Sequence, residues 1–188
     1  MPGDAVAGRP QPRGLFLLAS AVLAADQITK HLVAATLEPG QAIPVLPGWF
    51  QIRLIVNRGG LFGVLRDLPD PWRALLFSGI PLLASLGLVV FLLRTSPAQS
   101  LLRGGLALIL GGAIGNLTDR LRLGHVVDFV DVFFRDHHWP AFNLADSAIC
   151  VGVGLILWDA FRTGPSASAV PAAATEAADP SRADGQRA

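Results

Sequence analysis

Charge is what this sequence has least of. Only 15% of its 188 residues are Asp, Glu, Lys or Arg, where a water-soluble domain carries about 25%. That shortage excludes a soluble globular enzyme, and equally a disordered chain, which needs high charge and low hydrophobicity. The few charges nearly cancel, to a formal +1, so there is no electrostatic case for binding nucleic acid. Cysteine occurs once, as Cys150 in an apolar run, which excludes an intrachain disulfide framework and a cysteine-rich zinc site. Lysine also occurs once, as Lys30, against fourteen arginines; the bias fits a GC-rich genome. No segment recurs at a fixed period. What is abundant is apolar: 52% hydrophobic residues and a mean hydropathy of +0.49. A chain of this length and composition reads as one integral membrane unit.

The apolar runs can be measured against a bilayer, which a helix crosses in about 20 residues. Four runs qualify, at about 14–37, 71–93, 101–117 and 139–161. Pro81 falls inside the second and predicts a kink. Four spans put both ends of the chain on one side. Residues 1–13, rich in Pro, Gly and Arg, and 163–188, rich in Ala, Ser and Pro without hydrophobic period, read as disordered tails. The first apolar run follows Arg9 and Arg13 as a signal peptide would, but hydrophobicity resumes at Leu32 and three more spans follow. The longer links, 38–70 and 118–138, share the side opposite the tails. In the first, Ala42 to Leu46 and Trp49 to Val56 flank Pro47-Gly48 and read as two strands of a small sheet on the membrane surface. A short amphipathic helix is expected near Leu61 to Asp67. Trp49, Trp72, Trp139 and Trp158 fall near span ends or in this link, as interface anchors do. Arginine lies on both sides, so charge alone does not orient the chain.

Polar residues inside such spans are costly and therefore informative. Asp26 and Lys30 are four apart and share a helix face; an internal ion pair that permits insertion and a direct functional role are both open. Asn57-Arg58-Gly59-Gly60 reads as a turn. Gly111 and Gly115 form a small-xxx-small pair for helix packing, followed by Asn116, Asp119 and Arg120, the last two placed to snorkel to the interface. Asp128 sits among Val126, Val127, Phe129 and Val130, too apolar a setting for a solvated loop charge. Asn143 and Asp146 share a face at the start of the last span. Topology brings Asp26, Asn57, Asn116, Asp119, Asp128, Asn143 and Asp146 to one membrane face. No Ser–His or Cys–His arrangement joins them, and His137-His138 falls short of the three or four ligands a zinc site needs. Two carboxylates without a metal suggest acid–base hydrolysis, with one proton shared between them. A proton relay or transporter would spread its polar groups across the bilayer, and an assembly factor would leave Asp128 and Asp146 unexplained.

In this order along the chain, Asp26-Gln27-x-Thr29-Lys30, Asn57-x-Gly59, Gly111-Gly112-x-x-Gly115-Asn116-x-x-Asp119-Arg120, Val127-Asp128-Phe129 and Phe142-Asn143-x-Ala145-Asp146 resemble the motifs of bacterial lipoprotein signal peptidase, signal peptidase II, over residues 14–162. The resemblance implies an all-α membrane protein of four transmembrane helices with a small extracytoplasmic β-sheet and a short surface helix, the sheet a cradle and the helix a lid. It implies a multi-pass protein of the bacterial cytoplasmic (inner) membrane with both termini cytoplasmic. It implies an aspartic endopeptidase, with no cofactor and no metal, that cleaves diacylglyceryl-modified prolipoproteins before the lipidated cysteine and is inhibited by globomycin. Membrane lipid would surround it. By motif, Asp128 and Asp146 would be the catalytic pair. Asn116 and Asn143 would polarise the site, and Asp26, Lys30, Asn57, Gly59, Asp119 and Arg120 would support it or touch substrate. One departure is Leu61, where the family usually has Ala before the Phe.

Overall fold

The structure, a computed structural model, describes residues 13–59 and 68–163. Four of its helices are long and apolar enough to cross a membrane. Helices suit these runs because, inside hydrocarbon, each backbone N–H and C=O must be satisfied within its own segment. Helix α1 covers Arg13–Thr36. The second span, Pro71–Arg94, is assembled from α2, Asp70–Ala74, a π-helical turn at Leu75–Gly79, and α3, Ile80–Arg94. Pro81 has no N–H for the carbonyl four residues back, and the expected irregularity is taken up by the π turn just before it. Helix α4 covers Ser100–Leu123 and α5 covers Leu144–Thr163.

Helix α4 is the central rod: 56% of its apolar stretch is buried, against 11% for the second span. Its glycines let two neighbours close in. A Cβ on Gly111 would lie 2.6 Å from the Ala19 carbonyl oxygen of α1, and one on Gly105 would lie 2.7 Å from that of Gly152 in α5. Side chains that lipid would solvate as well as protein add little to association, so this close approach is the packing device. Ala19, Leu92, Leu106 and Leu110 form the apolar core where α1, α3 and α4 meet.

A four-stranded antiparallel sheet stands at one end of the bundle, ordered β1-β2-β3-β4. Strands β1, Ala42–Leu46, and β2, Phe50–Asn57, are the expected hairpin. Strands β3, Val126–Phe134, and β4, His137–His138, come from the other long link. Pairing of β2 with β3 therefore joins both links at the same end. The ladder slips between Ile52 and Ile55, so Arg53 and Leu54 together oppose Phe129. Such a bulge bends the strand and re-aims its side chains.

Two boundaries need correction. Span three was expected to end at 117, yet α4 continues to Leu123 and is closed by Gly124 in the left-handed conformation, φ 74°. The 118–138 segment is thus partly helix and partly strand. Span four was expected from Trp139, yet α5 begins at Leu144. The intervening residues lie along β3, with the Trp139 N–H donating to Val132 O at 2.8 Å and the Phe142 N–H to Val130 O at 3.2 Å. The short helix expected near Leu61 to Asp67 and both tails lie outside the described residues.

Candidate active site

The site grows from the sheet end of α1. Asp26 and Lys30 stack on one face and pair at 2.9 Å. The Lys30 ammonium has three donors and uses all of them: Asp26 Oδ2, Asp119 Oδ2 and Asn116 Oδ1, each at 2.9 Å. A charge with 3% exposure is tolerable only when saturated this way. The other oxygen of Asp26 accepts the Ala145 N–H at 3.0 Å, which caps the start of α5 from a neighbouring helix. Asp119 accepts from Gln27 Nε2 at 2.9 Å and from the Val127 N–H at 3.1 Å. One carboxylate so ties α1, α4 and β3 together. Asp119 does not snorkel as expected; it is 3% exposed and fully bonded.

Helix α5 starts with a capping box. Asn143 Oδ1 accepts the Asp146 N–H at 3.0 Å, and Asp146 Oδ2 accepts the Asn143 N–H at 3.1 Å. The remaining Asp146 oxygen accepts Asn116 Nδ2 at 2.7 Å. The reciprocal bonds explain why Asn143-Leu144-Ala145-Asp146 starts a helix, and they hold Asp146 still. Asn143, with no exposure, also reaches across to β3: its Nδ2 lies 2.8 Å from Asp128 Oδ1 and 3.0 Å from Asn116 Oδ1. Asp128 Oδ2 accepts Asn57 Nδ2 at 2.9 Å. The Gly59 N–H donates to Asn57 Oδ1 at 2.9 Å and so fixes which way that amide points. Gly59 has φ +103°, and a Cβ there would lie 2.7 Å from the Phe77 ring in the π turn; only glycine suits the place.

Of the sequence-derived residues, Asp26, Lys30, Asn57, Gly59, Asn116, Asp119, Asp128, Asn143 and Asp146 thus join one hydrogen-bonded network. Asn57 closes β2, and its side-chain amide serves Asp128; the turn expected from Asn57 to Gly60 runs beyond the described residues. Arg120 makes its approach through charge, its guanidinium lying under the influence of Asp146, Asp128 and Asp119. With Arg58, Arg73, Phe77, Ser78 and Gly124 it lines a cavity of about 210 Å³. Burial pushes the Asp128 carboxyl up to about 6; Asp146 adds to the rise, and the amides of Asn57 and Asn143 oppose it. Two carboxylates joined through one residue, Asn143, which donates to Asp128 from its side chain and to Asp146 from its backbone N–H, can bind and activate a water. Among the described residues no three His, Cys, Asp or Glu side chains converge as metal ligands would.

Sequence reasoning gave no site role to four polar participants. Gln27 braces Asp119. Asp131, Gln51 and His138 form a second cluster on β3, β2 and β4. Asp131 carried the same signal as Asp128, a carboxylate in an apolar run.

The model of the signal peptidase (SPase) II family matches residues 18–162. The lipoprotein signal peptidase of Syntrophotalea carbinolica is 46% identical over 154 residues, 82% of this chain and 94% of that one. That of Geobacter metallireducens is 44% identical over the same shares. Two solved structures described as a bacterial membrane enzyme are similar in fold. One has a TM-score of 0.69 at 30% identity, covering 79% of this chain and 88% of that one. The other has a TM-score of 0.66 at 31% identity, covering 77% and 90%.

Proposed function

The chain belongs to the signal peptidase II family, aspartic-type proteases that remove signal peptides from lipoprotein precursors, and on that premise we propose that Asp128 and Asp146 are its catalytic pair. The observation that carries this is Asn143, whose side chain and backbone touch both carboxylates. A water held between them faces the carbonyl carbon of the bond before the diacylglyceryl-modified cysteine. The ionised partner takes a proton from the water as its oxygen attacks. The protonated partner gives its proton to the carbonyl oxygen, and collapse of the tetrahedral intermediate expels the amine with a proton from the pair. Asp128 is the partner favoured to hold the shared proton, because burial raises it to about 6. Asp146 is then the base. The titration belongs to the pair, so activity reports apparent values.

Asn116, Asn143 and Asn57 keep four carboxylate oxygens supplied with donors, while Lys30, Asp26 and Asp119 fix Asn116 and the start of α5. Arg120 and Gly59 face the substrate side, where the cavity beside Phe77 accepts part of the prolipoprotein. The sheet end lies outside the cytoplasm and both termini inside. The exposed apolar residues of the sheet, Ile43, Val45, Trp49 and Phe134, support its place as a cradle against the membrane. On the same reading, a globomycin-type inhibitor blocks this cleavage.

The test is cleavage of a diacylglyceryl-modified prolipoprotein by purified protein beside Asp128→Asn and Asp146→Asn. Cleavage by wild type alone is expected. Activity in either variant close to wild type would end the assignment.

A further inference from the structure

Strand β3 buries a second carboxylate on the face opposite Asp128. Asp131 is 2% exposed, yet no part of the network around Asp128 touches it. Its Oδ1 meets His138 Nδ1 at 2.7 Å, and its Oδ2 accepts Gln51 Nε2 at 2.7 Å, with Arg53 at 3.9 Å. His138 stacks on Phe133 with ring centroids 4.9 Å apart. Three strands therefore converge on one carboxylate.

The position of this cluster gives it a consequence for the reaction. The segment from His138 to Asn143 is fastened to β3 at both ends. At one end are the Asp131–His138 contact and, beside it, the Trp139 N–H bond to Val132 O at 2.8 Å. At the other, the Phe142 carbonyl accepts the N–H groups of Phe129 and Val130 at 3.1 and 2.8 Å. Asn143 follows immediately, and it caps α5 while donating to Asp128. On the other side of β3 the bulge at Arg53 and Leu54 interrupts the β2 ladder opposite Phe129. Where β2 holds β3 least, the 138–142 segment holds it instead.

We propose that Asp131 and His138 are positioning residues that clamp the 138–142 segment to β3 and thereby set where Asn143 presents its amide to Asp128 and Asp146. The inference rests on the catalytic pair proposed above. Neither residue touches substrate. Loosening the clamp leaves substrate binding in place and misplaces the reacting groups, so the loss falls on kcat.

The experiment compares full-length wild type with His138→Phe, His138→Asn and Asp131→Asn, with Asp128→Asn as control, in steady-state cleavage of the diacylglyceryl-modified prolipoprotein. Phe keeps the stack on Phe133 but offers no donor; the Asn amide replaces the lost Nδ1–H. His138→Phe is expected to lower kcat by about tenfold, since small misplacements of reacting groups are costly, with KM within about twofold of wild type. His138→Asn is expected to recover most of that loss. The double variant Asp131→Asn/His138→Phe is expected to be no worse than the worse single, because the two act as one contact. Should His138→Phe fail to insert, His138→Asn and Asp131→Asn carry the comparison: retained kcat in the first with reduced kcat in the second supports the clamp. A His138→Phe enzyme with wild-type kcat overturns it, as does a loss confined to KM or one that His138→Asn does not repair. Those results with Asp128→Asn inactive remove the clamp alone. An active Asp128→Asn removes the catalytic pair and the clamp with it.

Discussion

Asp128 and Asp131 sit on one strand, three residues apart, each only 2% exposed, and their surroundings push them in opposite directions. Asp128 meets two amides and faces a second carboxylate, and burial carries it up to about 6. Burial is also the largest single influence on Asp131 and also pulls upward. There, however, the hydrogen bonds of His138 and Gln51, with the charges of His138 and Arg53, together outweigh it and hold the group below the usual carboxylate range. Both side chains are covered, but Asp128 lies deeper in the protein while Asp131 sits beneath the exposed His138 and Arg53, so depth and partner chemistry both differ. A deeply buried carboxylate set against another acid is kept ready to exchange a proton despite its amide donors, while one beside an imidazole and a guanidinium is held toward the anion. The strand alternation that separates their faces lets both kinds coexist within one short segment.

The sharpest way to break that contrast is to remove the exchangeable acid. Asp128→Asn or Asp146→Asn is expected to lower kcat by about a thousandfold or more in cleavage assays, the scale of a lost acid–base group, with the protein still inserted. Next comes the cation behind the pair. Lys30→Met leaves Asp26 and Asp119 buried without their shared partner, a loss of about 3 kcal/mol or more, to be read as reduced yield and a lower Tm in detergent. Asn143→Ala deletes the donor to Asp128 and half of the capping box. A drop in kcat of about tenfold to a hundredfold is expected, and the lost cap costs about 1 kcal/mol.

The two smallest effects test the electrostatics directly. Asp128 is raised in the folded protein to about 6, so the folded state holds its proton more tightly than the unfolded chain, whose carboxyl titrates near 4. Wild type therefore loses stability as pH rises between about 4 and 6, and Asp128→Asn does not. The Tm of the variant minus that of wild type is expected to grow over that interval; a constant difference would deny the raised value. Asp131 has the opposite sign. Its lowered value gives stability that is present above the ordinary carboxylate range and is lost as pH falls through the folded value. The Tm deficit of Asp131→Asn is expected to shrink on acidification.

The sequence was most legible where the physics is local. Apolar runs of about bilayer length gave the four spans, and Asp26 with Lys30 could be placed on one face by helix spacing alone. The Pro47-Gly48 hairpin was visible for the same reason. Strand β3 was not, because its partners on β2 lie some 70 to 80 residues earlier and its run of Val and Phe has no clean period of two. Helix α4 was cut short at Leu117 because Asn116, Thr118, Asp119 and Arg120 look like a surface link. The polarity of Asn116 and Asp119 is met inside the protein by Lys30, Asp146 and the Val127 N–H, and the Thr118 hydroxyl donates to the Ile114 carbonyl, a solution that only the packed helices reveal. The gathering of the motif residues could be inferred from topology. The capping box could have been read from Asn143 and Asp146 three apart, and Asp131 from the reasoning applied to Asp128.

The central claim is that Asp128 and Asp146 act as a pair on a lipidated precursor. The most direct measurement is single-turnover cleavage of a diacylglyceryl-modified prolipoprotein by purified wild type and by each Asp→Asn variant, across pH. Wild-type cleavage that weakens as the pair loses its shared proton with rising pH, with both variants inactive yet inserted, is the expected result. Cleavage surviving in Asp128→Asn or Asp146→Asn, or an inserted wild type that leaves the precursor uncut, would contradict it.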